Sequence, residues 1–159
     1  MNSINISKLP YRDNISCVVF KEKNFLLVQR VGWPDNWWKF PQGGIDEGES
    51  EENAARRELL EELGGKKFKI IAKSNYTNRY DWTDDSVKLA GYRWRGQIQK
   101  FFLVEFLGTD KDIKINKNEI QRYKWVGLKN LLASINQDNK NFSNYRNTIK
   151  KILQEFKML

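Results

Sequence analysis

The chain has 159 residues, of which 40% are apolar and 30% charged, and this balance predicts one globular domain spanning residues 1–159. It contains no histidine, which excludes histidine-based catalysis and leaves acid–base and metal chemistry to carboxylates, Lys, Tyr or Cys. The formal net charge of +8 suits an anionic partner such as a polyphosphate or nucleic acid, and equally a Lys-rich surface that aids solubility.

Cysteine content and hydropathy bear on the cellular compartment. Cys17 is the only cysteine, so no internal disulfide can form, and its place in an apolar run predicts a buried side chain. No stretch is apolar enough to span a membrane, and the N-terminus lacks the apolar region of a signal peptide. We therefore expect a cytoplasmic protein with no membrane association.

The first third of the chain predicts closely spaced strands. The apolar runs ISCVVF (15–20) and FLLVQR (25–30) flank a polar KEKN and predict a β-hairpin. WWKF (37–40) predicts a short further strand, and PQGG (41–44) predicts a tight turn.

A helix and a more irregular second half follow. Ser50 has the position of an N-cap for a helix that ends at Gly64 and Gly65. Further strands are predicted at 66–76, 97–106 and 121–128, and a C-terminal helix at 145–156. Strands and helices alternate without the regular βαβ order of a doubly wound sheet. This pattern favours an α/β fold with a mixed sheet packed between helices.

The predicted helix and its approach concentrate negative charge. Residues 45–62 hold eight acidic and two basic side chains, a local charge of −6, so the remainder carries +14. Helical spacing places Glu58, Glu61 and Glu62 on one face. Such a face is stable when it is fully solvated or when it holds a divalent cation. The glycine turn before the helix offers a bare backbone carbonyl as a further ligand and favours the metal site.

The same stretch resembles the signature of Nudix hydrolases, G-x5-E-x7-R-E-U-x-E-E-x-G-U, where U is a bulky apolar residue. Gly65 stands where an apolar residue is usual, and we expect looser packing after the helix. The resemblance implies the Nudix fold and Mg²⁺- or Mn²⁺-dependent attack of water on a phosphorus of a diphosphate-linked nucleoside. The matching positions are Gly43, Glu49, Arg57, Glu58, Leu59, Glu61, Glu62 and Gly64.

The resemblance also implies roles for individual acidic residues. Glu119 matches a downstream glutamate that serves as an extra metal ligand or general base, although Asn-Glu-Ile replaces the family's Pro-Glu-Phe. Glu49 and Arg57 match the pair that fixes the loop to the helix, whereas Glu51 and Glu52 are interpreted as surface charges. The implied catalytic residues are Glu58, Glu61, Glu62 and Glu119, and the implied metal ligands are these four with Gly43.

The similarity to one Nudix subgroup runs from residue 10 to 156. The segments PYRDNISCVVF, WWKFPQGGIDEGE, GQIQKFF and YKWVGL are similar to those of RNA pyrophosphohydrolases and of asymmetrically cleaving dinucleoside polyphosphate hydrolases. Arginine suits phosphate, so Arg12 and Arg30 would contact it, and Phe142 would stack on a nucleobase. A surface ion pair is the alternative for Arg30, and core packing for Phe142. The implied substrate-binding residues are Arg12, Arg30, Tyr80, Gln99, Lys100 and Phe142.

Two substrates remain open, the 5′-triphosphate end of RNA and a dinucleoside polyphosphate. The basic remainder and the many aromatic residues favour the RNA end. A nucleoside triphosphate pyrophosphatase and a non-catalytic nucleotide- or RNA-binding protein are the alternatives, and no protein partner is inferred. Residues 80–95 depart most from the subgroup pattern, so we expect them to shape substrate choice.

Overall fold

The computed structural model describes residues 3–159 as a six-stranded sheet with helices on both faces, which confirms the predicted α/β class. The strands are β1 (Tyr11–Lys21), β2 (Asn24–Arg30), β3 (Gln42–Gly44), β4 (Phe68–Asp81), β5 (Gly96–Phe106) and β6 (Ile120–Val126). The α-helices are α1 (Glu51–Leu63), α2 (Asp84–Leu89), α3 (Leu128–Ser134) and α4 (Tyr145–Glu155), with 3₁₀ turns at Ile6–Lys8, Asp110–Asp112 and Lys140–Phe142.

The sheet is mixed, with the order β4-β5-β1-β2-β6 and with β3 paired to β1. β1 and β5 run parallel, whereas the other pairs are antiparallel. The parallel register places Arg12 beside Gln97, and Tyr80 pairs with Gln97 from the other side. Three strands therefore bring polar residues into one row at the end where β1 and β5 begin.

Alternation along β1 divides the interior into two cores, because successive side chains point to opposite faces of a sheet. Val18 packs in the core that α3 and α4 cover, and fully buried Ile149 of α4 lies in the same core. Cys17 packs in the other core, which α1 covers through Leu59, and its burial at 1% exposure confirms the prediction.

The predicted hairpin of β1 and β2 is confirmed, but the segment after it differs from the prediction. Next to the hairpin turn, Phe20 of β1 pairs with Phe25 of β2, and Lys21 pairs with Asn24. Within PQGG, Gln42–Gly44 forms β3 and not a turn, since it pairs with residues 14–16 of β1. WWKF forms a single bridge between Lys39 and Val28 instead of a strand.

The ends of α1 agree with the sequence, but the burial of one residue within it does not. The Ser50 side chain accepts a hydrogen bond from the Asn53 N–H at 3.1 Å. Helical spacing also predicts that Leu60 buries against the sheet with Leu59 and Leu63, but Leu60 is 47% exposed. At Gly65, where looser packing was expected, a Cβ would lie 2.8 Å from the ring of Phe68.

The second half confirms strands near the predicted positions and adds two helices. β4 continues to Asp81, well past its predicted end at residue 76. α2 and α3 were not predicted, and Leu128, placed at the end of a strand, begins α3. Within residues 3–159 no helix combines the length and apolar character needed to cross a membrane.

Candidate active site

A cleft with a volume of about 460 Å³ opens at the end of the sheet where β1 and β5 begin. Its lining combines carboxylates, cations and aromatic rings. The carboxylates are Glu58, Glu61 and Glu119, the cations are Arg12, Arg30 and Lys39, and the rings are Trp33, Tyr80 and Trp82.

Arg57 ties the loop before α1 to the helix, as predicted. Its Nε and Nη2 donate to the two carboxylate oxygens of Glu49 at 2.8 and 2.9 Å, and Nη2 also donates to the Gly44 carbonyl at 2.9 Å. Hydrogen bonding by Arg57 lowers the pKa of Glu49 to about 2. Arg57 Nη1 donates to Glu58 Oε1 at 2.8 Å. One guanidinium therefore holds both the loop before α1 and a candidate metal ligand in position.

Glu58 lies against the glycine of β3. A Cβ at Gly43 would stand only 2.0 to 2.4 Å from the carboxyl atoms of Glu58, so any larger residue there would displace this carboxylate. Burial raises the pKa of Glu58, and hydrogen bonding by Arg57 opposes that rise. Gly43 of β3 therefore admits a carboxylate close to the backbone.

Glu62 is the most deeply buried acid of the site. Its side chain is fully buried, and Oε1 accepts a hydrogen bond from Arg30 Nη1 at 2.9 Å. Oε2 is buried and has no hydrogen-bond partner among the described residues. Burial raises the pKa of Glu62 to about 8, with the attraction of Arg30 opposing and the repulsion of Glu58 adding to the rise. An unpaired buried carboxylate oxygen is unfavourable and requires a proton or a cation.

These donors fit a divalent metal, although they do not form a ready-made cage. In the part of the chain that the structure describes, no three acidic, Cys or His side chains stand together as a metal site. Arginines hold the carboxylates instead, with Arg57 Nη1 3.3 Å from Glu61 Oε2 and Arg30 bound to Glu62. Hard oxygen donors and the unpartnered Oε2 of Glu62 suit Mg²⁺ or Mn²⁺.

Three of the predicted substrate-binding residues line the cleft. The Arg12 guanidinium lies against Gly44, where a Cβ would meet its Nη2 at 2.3 Å, and stands 5.1 Å from the Trp94 ring. Arg30 lines the cleft and also forms an ion pair with Glu62. Its position is therefore compatible with both alternatives, contact with phosphate and ion pairing. Tyr80 is 6% exposed, and its hydroxyl accepts a hydrogen bond from Gln97.

The other three predicted substrate-binding residues do not line the cleft. Gln99 is fully buried and donates to Gln42 Oε1 at 2.7 Å, so it lies beneath the surface. Lys100 lies one residue farther along β5, on the opposite face, and donates to Glu51 Oε1 at 3.0 Å. Glu51 is therefore an ion-pairing residue and not a free surface charge.

Phe142 was predicted to stack on a nucleobase, and its position corrects that prediction. The ring is 5% exposed and packs in the core, with centroids 5.6 Å from Trp37 and 6.1 Å from Tyr145. The 3₁₀ turn that carries it folds the ring inward beside α4.

Sequence reasoning missed other residues that line the cleft. Lys39 and Asn14, both 2% exposed, contribute to its lining. The signal for Lys39 was a single charge inside the apolar WWKF. Leu89 of α2 also lines the cleft, within the segment 80–95 that was expected to shape substrate choice.

Comparison with known proteins identifies the class to which this fold and cleft belong. The NUDIX domain matches residues 10–146, and the chain belongs to the Nudix family. The RNA pyrophosphohydrolase of Wolbachia pipientis wMel is 33% identical over 150 residues, covering 92% of this chain and 89% of that protein.

Solved structures show the same fold. The E. coli dihydroneopterin triphosphate pyrophosphohydrolase superposes with a TM-score of 0.69 at 22% identity, covering 92% of this chain and 99% of its own. A C. elegans Ap4A hydrolase binary complex gives 0.65 at 22% identity, with 91% and 99% covered. At these identities the similarity establishes the fold and not the substrate.

Proposed function

We propose that this protein is a divalent-metal-dependent hydrolase of nucleoside polyphosphates that acts on the 5′-triphosphate end of RNA. The observation that carries the proposal is the buried, unpartnered Oε2 of Glu62 beside the cleft that holds Glu58, Arg12 and Arg30. A carboxylate oxygen without a partner next to phosphate-binding cations is the arrangement that a metal–phosphate complex completes.

Each side chain would have a distinct part in the reaction. When bound, Mg²⁺, or Mn²⁺ as the alternative, supplies charge neutralisation at phosphate oxygens and a more acidic water. Arg12 and Arg30 would orient the phosphates through charge-assisted hydrogen bonds, and Glu119 would accept a proton from the attacking water. Gln99 would act indirectly through Gln42. The metal would be held by Glu58, Glu61, Glu62 and Glu119 with the Gly43 carbonyl.

The preference for RNA rests on charge and on similarity. The chain carries +8, which favours attraction of a nucleic-acid backbone. The Wolbachia relative, named RNA pyrophosphohydrolase, matches most of both chains. A dinucleoside polyphosphate is the second candidate, since Trp33 and Trp82 both line the cleft and could contact separate bases. We expect action in the cytoplasm by one Nudix domain spanning 1–159.

The test compares triphosphorylated RNA, diadenosine tetraphosphate and nucleoside triphosphates in parallel with Mg²⁺. Product masses identify the bond that breaks, and kcat/KM ranks the substrates. Glu61→Gln and Glu62→Gln are each expected to reduce kcat by about 10²–10⁴-fold. Glu52→Gln is the matched control, because Glu52 pairs with Arg56 at 2.8 Å and does not line the cleft.

Two results would contradict the proposal. If Glu61→Gln and Glu62→Gln both turn over RNA at the wild-type rate, the catalytic assignment is wrong. If the wild-type protein binds RNA or nucleotides but releases no product with Mg²⁺ or Mn²⁺, the protein is a binding module on a Nudix scaffold.

A further inference from the structure

Lys39 places a positive charge in an aromatic box within the protein. The side chain is 2% exposed, and its Nζ lies 5.1 Å from the Tyr80 ring centroid, 4.5 Å from that of Phe142 and 5.0 Å from that of Tyr145. Nζ donates to the Tyr80 hydroxyl at 3.3 Å and to the carbonyl of Asn141. Rings and neutral oxygens stabilise an ammonium only in part.

No carboxylate compensates this charge. Among residues 3–159, Lys67, Lys73 and Lys100 form ion pairs, but Lys39 forms none within 4.0 Å. The titratable groups that face it, Tyr80 and Tyr145, are neutral, because burial raises the pKa of both phenols. Burial alone lowers the pKa of Lys39 to about 7, with no acid to oppose it. The protonated Lys39 therefore lacks an opposite charge among the described residues, and a bound anion would supply one.

A second buried polar group beside the same cleft also lacks a hydrogen-bond partner for one of its atoms. Asn14 is 2% exposed and lines the cleft with Lys39, and its Oδ1 has no hydrogen-bond partner among the described residues. Since the oxygen and nitrogen of an amide are assigned from their partners, the exchanged orientation would present an N–H donor there. One cleft thus holds an uncompensated cation and a free amide group.

We propose that Lys39, assisted by Asn14, forms an anion subsite in the cleft that binds a phosphate group of the substrate. A phosphate is favoured over a nucleobase carbonyl, because a desolvated ammonium gains most from a full negative charge. The subsite adds a third cation to Arg12 and Arg30, whose contact with phosphate the family resemblance already implied. The identity of the ligand as a phosphate rests on the proposed function.

Binding of imidodiphosphate, a diphosphate analogue with a P–N–P bridge, tests the subsite by titration calorimetry with Mg²⁺. Lys39→Met removes the charge and keeps an apolar chain that suits the aromatic box, and we expect affinity to fall about ten- to a hundredfold. Affinity for adenosine, which lacks phosphate, should stay the same. Lys124→Met is the matched control, since Lys124 also lies over a ring, 4.3 Å from Trp38, but does not line the cleft.

A measurement on the wild-type protein keeps the test valid if Lys39→Met does not fold. With ¹³C at the lysine Cε carbons, the Lys39 signal is assigned from its contacts with the Phe142 ring. Imidodiphosphate should raise the pKa of Lys39 by at least one unit, whereas adenosine should not. An unchanged pKa, or an unchanged affinity in folded Lys39→Met, overturns the subsite.

The two proposals fail separately. If the wild-type protein binds imidodiphosphate through Lys39 but hydrolyses neither triphosphorylated RNA, diadenosine tetraphosphate nor nucleoside triphosphates, the proposed function is wrong and the anion subsite stands. If hydrolysis occurs and Lys39→Met binds imidodiphosphate as the wild type does, the subsite is wrong and the proposed function stands.

Discussion

At the scale of single residues, the tightest constraint in the cleft joins Gly43 to Glu58. The space that a Cβ at residue 43 would need is occupied by the Glu58 carboxyl group. The glycine is therefore required for the position of a candidate metal ligand, in addition to whatever its carbonyl contributes.

Replacing that glycine should displace the carboxylate. We expect Gly43→Ala to lower kcat at least tenfold and to weaken Mn²⁺ binding, because Glu58 must move to admit the methyl group. Steady-state kinetics and calorimetric Mn²⁺ titration measure both effects. Gly127→Ala is the control, since nothing lies within 4 Å of a Cβ there. A fully active Gly43→Ala with normal Mn²⁺ affinity would refute the role of Glu58.

Lys39 should leave a signature in the pH dependence of stability. Its pKa is about 7 in the folded protein against an ordinary 10.5, so between these values the unfolded chain binds more protons. Stability then rises with pH across that window, and the destabilisation is complete below about pH 7.

Urea unfolding of the wild type and Lys39→Met from pH 6 to pH 10.5 measures this effect. The wild type should gain roughly 2–5 kcal/mol relative to the variant over that range. A difference that is independent of pH would show that Lys39 titrates normally in the folded state.

At the scale of elements, α2 lies within residues 80–95, the segment that departs most from the subgroup pattern, and its last residue lines the cleft. Thr83 caps α2, and its side chain accepts a hydrogen bond from the Ser86 N–H at 3.3 Å. Leu89, at the end of α2, is 89% exposed and lines the cleft. An apolar side chain so exposed at the candidate site suits contact with a ligand base.

Changing Leu89 should therefore affect substrate binding and not folding. We expect Leu89→Ser to raise KM for RNA about three- to tenfold, with kcat less affected and unfolding free energy within about 0.5 kcal/mol of wild type. Leu107→Ser provides the comparison, because Leu107 is also exposed, at 60%, but does not line the cleft. Equal KM values for all three proteins would place the base elsewhere.

At the scale of the whole molecule, the charge is divided between an acidic stretch and a basic remainder. Residues 45–62 carry −6, and the remaining residues carry +14. A metal site would occupy the acidic part, leaving the basic remainder to attract an extended anion.

This division predicts how activity depends on salt. Between 50 and 200 mM KCl, KM should rise more steeply for a triphosphorylated RNA of eight nucleotides than for ATP, because the longer backbone releases more counterions. Parallel kinetics at several KCl concentrations measure the two slopes. Equal slopes would show that the protein contacts only the terminal nucleotide, and would favour a mononucleotide substrate.

Local physics accounts for what the sequence by itself determined. Glu58, Glu61 and Glu62 share a face because helical spacing alone decides it, and the Ser50 cap and the Gly64 end are equally local. The motif from Gly43 to Gly64 therefore predicted the helix and the candidate ligands together.

Only the tertiary structure decided the rest, because strand pairing and burial depend on residues distant in sequence. β1 pairs with β3, which turned a predicted turn into a strand, and alternation along β5 directs Lys100 away from the cleft. Phe142 is drawn into the core by Trp37, more than a hundred residues earlier in the chain. Lys39 became a candidate phosphate ligand only once the fold surrounded it with rings from β4, a 3₁₀ turn and α4.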